Sequence, residues 1–383
     1  VSSTLEEFRK VNASYPGSSI AEAWKSEGKR VIGWMCNYLP EEIIYAAGML
    51  PIRVTGCDEE GLQLGDAQAY MSNATCSFVQ TCFQLALQKR FAYLDGCVSA
   101  MPCHSMIRMT ELWRLYLPTP FVHTLAIPRA ISKESLELFT RDVEEFRQSL
   151  GRHFDTEITD ESLRNAIAVY NETRSLLKQL YEFRKQEVPP VLGSEIQEVL
   201  NACQRMPRDR FNELLFAFLK EVRAMGPDAG PADRKPRLML SGSIHNNSKF
   251  IKLIEDAGAV VVADELCSGT RYWWRDVNTD EPPVNALARR YLNIAPCGRM
   301  YPVSNRVNHV TSFIREYRVD GVVSEILQYC TSYQSDQPLL RAELEKQGIP
   351  MLDLQVEYGS HGSGQVKTRV EAFIEMLAQG VIE

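Results

Sequence analysis

Arg30-Val-Ile-Gly-Trp-Met-Cys-Asn-Tyr-Leu-Pro40-Glu-Glu-Ile-Ile-Tyr-Ala-Ala-Gly48-Met-Leu-Pro51-Ile-Arg-Val-Thr55 carries the pattern from which the fold is read. Residues 30–34 form a short buried strand. Pro40 suits the first turn of a helix, where its missing N–H would have had no partner, and Glu41 and Glu42 suit the positive end of that helix. The helix runs through Ile43, Ile44 and Ala47 to Gly48 as its C-cap, and a second strand follows at 51–55. Strand, helix, strand is how a parallel α/β sheet begins.

The rhythm continues in both directions from there. Residues 76–90 place Phe78, Cys82, Leu85 and Lys89 at helical spacing, followed by a strand at 96–100, a helix near 106–116 and a strand at 120–126. The middle of the chain reads as helices at 133–155, 160–186, 194–205 and 208–225. Thr159 or Asp160 is an N-cap there, and Pro189-Pro190 is a break. Residues 226–233 are a linker by composition. The α/β rhythm then returns, with strands at 237–240, 259–263, 321–327 and 349–354 and helices at 247–257 and about 337–347. The expected fold class is therefore α/β, with two flavodoxin-like (Rossmann-like) parallel-sheet domains at 1–130 and 231–383. A helical insert and linker at 131–230 lies between them.

The chain's 383 residues suit two or three domains, and 45% hydrophobic with 24% charged residues is the balance of a globular protein. A net charge of −7 gives no basic stripe, so nucleic acid is not an expected partner. The longest apolar stretch, around Ile43 to Ile52, is interrupted by Gly48 and Pro51, so no membrane span is expected. The first residues lack a charged region followed by an apolar one, so the expected compartment is the cytoplasm.

In that compartment the ten cysteines are buried thiols, redox thiols or metal ligands. No C-x-x-C occurs, which argues against a zinc ribbon and a thioredoxin-type pair. Ligands of open parallel sheets gather at the carboxyl ends of strands. Cys36, Cys103, Cys267 and Cys330 fall within a few residues of such ends, Cys76 opens a helix, and Cys297 lies in the irregular Ala295-Pro-Cys-Gly-Arg. Cys57, Cys82, Cys97 and Cys203 are explained by packing. Iron–sulfur cubanes accept thiolates from separate loops without a local spacing rule, whereas zinc more often recruits histidine. Only His104 and His245 lie near these loops. Gly269 and Gly298 would admit backbone amides close to a cluster. Spacing alone leaves packing and ligation both open.

Residues 33–51 closely resemble the opening of the 2-hydroxyacyl-CoA dehydratase / benzoyl-CoA reductase family. So do Ala74-Thr-Cys-Ser-Phe-Val-Gln, Asp264-Glu-Leu-Cys-Ser-Gly-Thr-Arg-Tyr, the run from Asp320-Gly-Val-Val to Gln-Tyr-Cys330, and the ending from Gly364-Gln-Val-Lys-Thr-Arg. The resemblance spans nearly the whole chain. Within the family, dehydratase subunits carry one cubane on cysteines corresponding to Cys76, Cys103 and Cys330. The additional Cys36, Cys267 and Cys297 resemble the double-cubane proteins, in which a sulfide joins two cubanes. The resemblance thus favours an 8Fe–9S double cubane on all six cysteines, otherwise one 4Fe–4S cluster. His104 stands where dehydratase subunits often carry a carboxylate.

The resemblance further implies a low-potential reductase, one that works anaerobically and receives electrons from an ATP-hydrolysing iron–sulfur activator. Cluster potentials span about −700 to +450 mV, so the low end is within reach. The chain has no G-x-x-x-x-G-K-[ST] of its own. The substrate would be a small molecule or an acyl-CoA, and the expected assembly is a homo- or heterodimer with a family subunit. Alternatives are a catalytic subunit of a benzoyl-CoA reductase or (R)-2-hydroxyacyl-CoA dehydratase, or a cluster carrier without its own substrate. His104, Arg271 and Tyr301 are the candidates for handling protons or anchoring a thioester.

Overall fold

The computed structural model describes residues 2–57, 59, 61–225, 234–359 and 364–380. Two four-stranded, all-parallel sheets organise it. The first holds β1 (Val31–Met35), β2 (Leu50–Arg53), β3 (Gly96–Met101) and β4 (Phe121–Ala126) in the order β2-β1-β3-β4. The second holds β5 (Arg237–Gly242), β6 (Val260–Glu265), β7 (Gly321–Leu327) and β8 (Met351–Val356) in the order β6-β5-β7-β8. The two orders are the same when each is numbered within its own half, so the expected pair of flavodoxin-like units is present. Every residue of β1, β5 and β7 is buried, because helices cover both faces of a parallel sheet and leave no wet side to alternate with. In each sheet the chain reverses direction of travel beside its first strand, giving switch points between β1 and β3 and between β5 and β7.

The middle helices are Lys133–Phe154, Asp160–Glu182, Gly193–Cys203 and Arg208–Ala224. They tie the two sheets together. Lys133–Phe154 packs on β4 and on Pro283–Leu292, and Asp160–Glu182 packs on Glu42–Ala46. Gly193–Cys203 packs on Ser248–Asp256 and on the N-terminal helix Ser3–Ala13. That first helix and the next, Ser19–Ser26, are each opened by a serine, Ser2 or Ser18, whose side chain accepts a backbone N–H three residues on. The expected linker at 226–233 lies outside the described residues.

Two expectations are revised. The helix expected at 337–347 starts at Thr331, immediately after Cys330, and carries Pro338 inside it. Proline disfavours that position, but Tyr333, Asp336 and Leu340 are buried around it and Asp336 pairs with Arg306. Glu41 and Glu42 are more than dipole partners. Glu41 accepts from Tyr170, Tyr272 and Arg208, and Glu42 from Arg174 and Tyr291, all of them buried. These bonds pin the short helix behind Cys36 to the middle helices and to the second sheet's unit.

Candidate functional site

Six cysteines line one cavity of about 130 Å³ between the two units: Cys36, Cys76, Cys103, Cys267, Cys297 and Cys330. Each arrives from its own segment. Cys36 follows β1 and Cys103 follows β3, so both sit at the first sheet's switch point, while Cys330 follows β7 at the second. Cys76, Cys103 and Cys330 occupy the N-cap positions of Ser77–Leu87, His104–Tyr116 and Thr331–Lys346. Three helices thus aim unsatisfied N–H groups and positive dipole ends at one space. Cys36, Cys267 and Cys297 lie instead in turns. Cys36 has φ 74° and Tyr329, beside Cys330, has φ 65°. A left-handed backbone at a non-glycine residue costs free energy and is concentrated at functional sites.

The thiols act on one another in two sets of three. Cys36, Cys267 and Cys297 are mutual electrostatic neighbours, whereas Cys330 is the thiol neighbour of both Cys76 and Cys103. Burial pushes the Cys36 thiol up to about 12 and the Cys297 thiol up to about 11. Cys330 goes the other way, because the Cys76 thiol donates to it and Ser243 adds a second bond. Cys76 is raised correspondingly, and burial raises Cys103. Backbone amides point at these sulfurs: Tyr38 at Cys36, Phe78 and Val79 at Cys76, Ser105 and Met106 at Cys103, Arg299 at Cys297.

Arg271 lines the same cavity and is 1% exposed. Its Nη2 donates to the carbonyls of Gly242 at 2.6 Å and Glu265 at 2.8 Å, and its Nε lies 3.1 Å from the Glu265 carboxylate. Among the described residues its Nη1 is buried without a nitrogen or oxygen partner, as are the hydroxyls of Tyr38 and Tyr333, which line the cavity too. The Tyr38 hydroxyl has the Cys297 sulfur as its neighbour. Orphaned buried donors are costly. Two such donors, on Arg271 and Tyr333, and the Tyr38 hydroxyl beside a sulfur face the hollow rimmed by thiols.

Of the other sequence candidates, two are not brought to the cavity. His104 is exposed. As the residue after the N-cap it is rotated about a third of a turn from Cys103 and faces outward. Tyr301 is 69% exposed; its segment pairs with Ala130 at the surface and its N–H donates to the Arg129 carbonyl. Arg299, two residues earlier, lines the cavity instead. Gly269 and Gly298 also serve differently from expectation. A Cβ on Gly269 would run into the Asp264 carboxylate, and one on Gly298 would meet the Ser332 carbonyl at 3.0 Å, so neither position has room for a side chain. His245 is buried with one ring nitrogen on Glu325 and the other on the Asn247 carbonyl. Of the cysteines read as packing, Cys82, Cys97 and Cys203 are buried, Cys203 accepting from Arg208. Cys57 is half-buried at a different hollow. Sequence reasoning missed Tyr38, Tyr333, Arg53 and Asn37; only their closeness to Cys36, Cys330 or a strand end marks them.

Among the described residues no three His, Cys, Asp or Glu side chains converge on a point that would hold a single ion. A mononuclear thiolate site draws its sulfurs to about 2.3 Å from one metal. Six thiols spread around a volume match a polynuclear group in kind. None of the described helices is long and apolar enough to cross a membrane.

Two flavodoxin-like units flanking a thiol-lined cavity define a duplicated α/β protein with a cysteine-rich site at its strand ends. The chain belongs to the family of the 2-hydroxyglutaryl-CoA dehydratase D-component, whose model matches residues 36–377. It is similar to the beta subunit of (R)-2-hydroxyglutaryl-CoA dehydratase of Acidaminococcus fermentans, with 28% identity covering 98% of this chain and 100% of that one. The beta subunit of (R)-phenyllactyl-CoA dehydratase of Clostridium sporogenes is 24% identical over 94% of this chain and 96% of its own. A benzoyl-CoA reductase subunit of Thauera aromatica is 25% identical over 93% of this chain and 94% of its own. Membership in this family makes the chain an enzyme component.

Proposed function

We propose that the chain is an iron–sulfur reductase component that holds a double cubane, 8Fe–9S, on its six cavity thiols. The observation that carries this reading is the division of those thiols into Cys76, Cys103, Cys330 and Cys36, Cys267, Cys297 around one volume. Each set would hold one cubane through its three thiolates. Such a group supplies single electrons at low potential. The chain's own residues do the rest: helix N-termini and backbone amides stabilise negative charge on the sulfurs, and Arg271, Tyr38 and Tyr333 donate from the walls. Electrons would come from a separate ATP-hydrolysing iron–sulfur activator and pass to a small substrate.

A second reading is favoured by the relatives' names. As a dehydratase or benzoyl-CoA reductase subunit, the chain would carry one 4Fe–4S cluster, pair with a sister subunit and act on a CoA thioester. Iron and acid-labile sulfide per chain after anaerobic purification separate the two. About eight irons support the double cubane, and about four, with a requirement for a partner chain, return the protein to the second reading.

A further inference from the structure

Glu265 ends β6, two residues before Cys267, and is fully buried. We propose that it is a positioning residue, which holds Arg271 at the thiol-lined cavity and is itself tied, through Arg306 and Asp336, to the helix that Cys330 opens. The proposal rests on the reading that the thiols hold an iron–sulfur group, whose potential the place of Arg271 would tune.

The Arg271 guanidinium is gripped on two of its three nitrogens. Its Nε lies 3.1 Å from the Glu265 carboxylate, and its Nη2 donates to the Glu265 carbonyl at 2.8 Å and the Gly242 carbonyl at 2.6 Å. One residue therefore supplies both a charge and a backbone acceptor. A guanidinium is planar, so fixing two nitrogens fixes the third, and Nη1 is left for the cavity. The Gly242 carbonyl is fixed too. Its residue has φ 129°, and a Cβ there would run into the Glu325 carbonyl, so the turn after β5 admits glycine alone.

Behind Glu265 the chain of contacts continues. Arg306 grips the carboxylate with two prongs, Nε to Oε1 at 3.2 Å and Nη2 to Oε2 at 2.9 Å. Ser241 donates to Oε2 at 3.0 Å and accepts from Arg306 at 2.9 Å. The remaining Arg306 nitrogen bonds Asp336, on the helix Thr331–Lys346 whose N-cap is Cys330. Both guanidiniums lie over the Tyr333 ring, at 5.1 and 4.9 Å, and Tyr333 lines the cavity. Two buried cations so close repel each other, and the carboxylate between them offsets that. Buried ion clusters are poor evidence for stability, because apolar packing avoids their desolvation cost. What this one supplies is direction: a cation kept beside Cys267, Cys297 and Cys330, thiols of both sets.

Glu265→Asp tests this, because it keeps the charge and draws the carboxylate back by one methylene. A carboxylate acting through its charge alone predicts little change. A positioning residue predicts a midpoint potential shifted toward that of Arg271→Gln, by about threefold in the one-electron equilibrium or about 30 mV lower, read by anaerobic spectroscopic titration. The same exchange made in Arg271→Gln should add nothing. In the metal-free chain, phenylglyoxal followed by peptide mapping should modify Arg271 severalfold faster in Glu265→Asp than in the unaltered protein. Arg174, buried against Glu42, should stay as it was. A chain that binds no iron would sink the iron–sulfur reading, and the labelling of Arg271 would still decide the role of Glu265. Should Glu265→Asp fail to fold, Arg306→Lys takes its place: it keeps the charge, loses the two-pronged grip and should expose Arg271 to the same reagent. Unchanged Arg271 labelling, an unchanged potential, or a shift of equal size in both backgrounds would overturn the proposal.

Discussion

Arg53, the last residue of β2, donates from Nη1 to the carbonyl oxygen of Cys267 at 2.8 Å, reaching from the first sheet's unit to the turn beyond β6. Asn37 donates to the same oxygen at 2.7 Å. The backbone that presents Cys267 is therefore clamped by the segment that presents Cys36. Arg53 is itself held by Gln204 and lies 5.0 Å over the Trp34 ring, and Trp34 stacks on Tyr272. One buried cation thus sets the spacing of two candidate ligands from different domains.

Replacing Arg53 by Ala removes that clamp and the cation over Trp34. The expected loss is about 2–3 kcal/mol, the worth of a buried charge-assisted bond. Urea unfolding measures it. Iron content should fall in the same variant, and unchanged iron with lost stability would reduce Arg53 to a packing role.

Arg208 tests the buried ion network. It bonds Glu41, the Tyr272 hydroxyl and Cys203 at once. Arg208→Ala leaves Glu41 uncompensated and should cost about 3–5 kcal/mol. Pairing Arg208→Met with Glu41→Gln should recover most of that, because no buried charge then lacks a partner. Thermal melts of the single and double variants give the comparison.

The strands and their parallel arrangement were legible because apolar runs between turn residues have few other uses, and the cysteines stood out by falling at strand ends. What could not be read was direction. His104 is next to Cys103 in sequence, yet one step along a helix turns a side chain about 100° away. Arg53 and Cys267, or Arg271 and Tyr333, meet only through the packing of the two units, and no local pattern encodes that. The helix expected from residue 337 begins instead at Thr331 for a similar reason. Its first turns depend on Asp336 meeting Arg306, while the local signal, Pro338, argues against them.

Arg271 should set the potential of whatever anionic group the thiols hold. Reduction adds negative charge, which a neighbouring guanidinium stabilises. Arg271→Gln should therefore lower the midpoint potential, by about 60 mV if the one-electron equilibrium changes tenfold. Arg271→Lys, which keeps the charge, should stay closer to the unaltered protein. Spectroscopic redox titration under anaerobic conditions reads both, and a shift in the opposite direction would contradict the electrostatic role.

In the metal-free, reduced protein the thiols should differ in reactivity. The thiolate is the nucleophile. Cys36 and Cys297, pushed up to about 12 and about 11, are almost wholly protonated at pH 8. Cys330, held below the usual thiol value by the Cys76 hydrogen bond, has the larger thiolate fraction. Iodoacetamide at pH 8 should label Cys330 ahead of Cys36 and Cys297, and raising the pH toward 10 should narrow the gap as those raised thiols begin to ionise. Cys76→Ala removes the bond and should slow Cys330. Peptide mass mapping against time shows the order.

The two-set arrangement makes the sharpest demand on iron content. If each set holds its own cubane, Cys36→Ala or Cys297→Ala should lower iron from about eight toward about four per chain and leave the fold intact. The reason is local: losing a thiolate uncovers an iron of its own cubane, while Cys76, Cys103 and Cys330 keep their three helix N-termini around the other. Cys203→Ala should leave the count unchanged, since Arg208 and not the cavity is its neighbour. Oxygen mimics the loss of iron, so all variants are handled anaerobically and compared by spectrum as well as by assay. Iron near four in the unaltered chain, indifferent to Cys36→Ala and Cys267→Ala, would leave only the Cys76–Cys103–Cys330 set as ligands and place this protein with the single-cubane subunits.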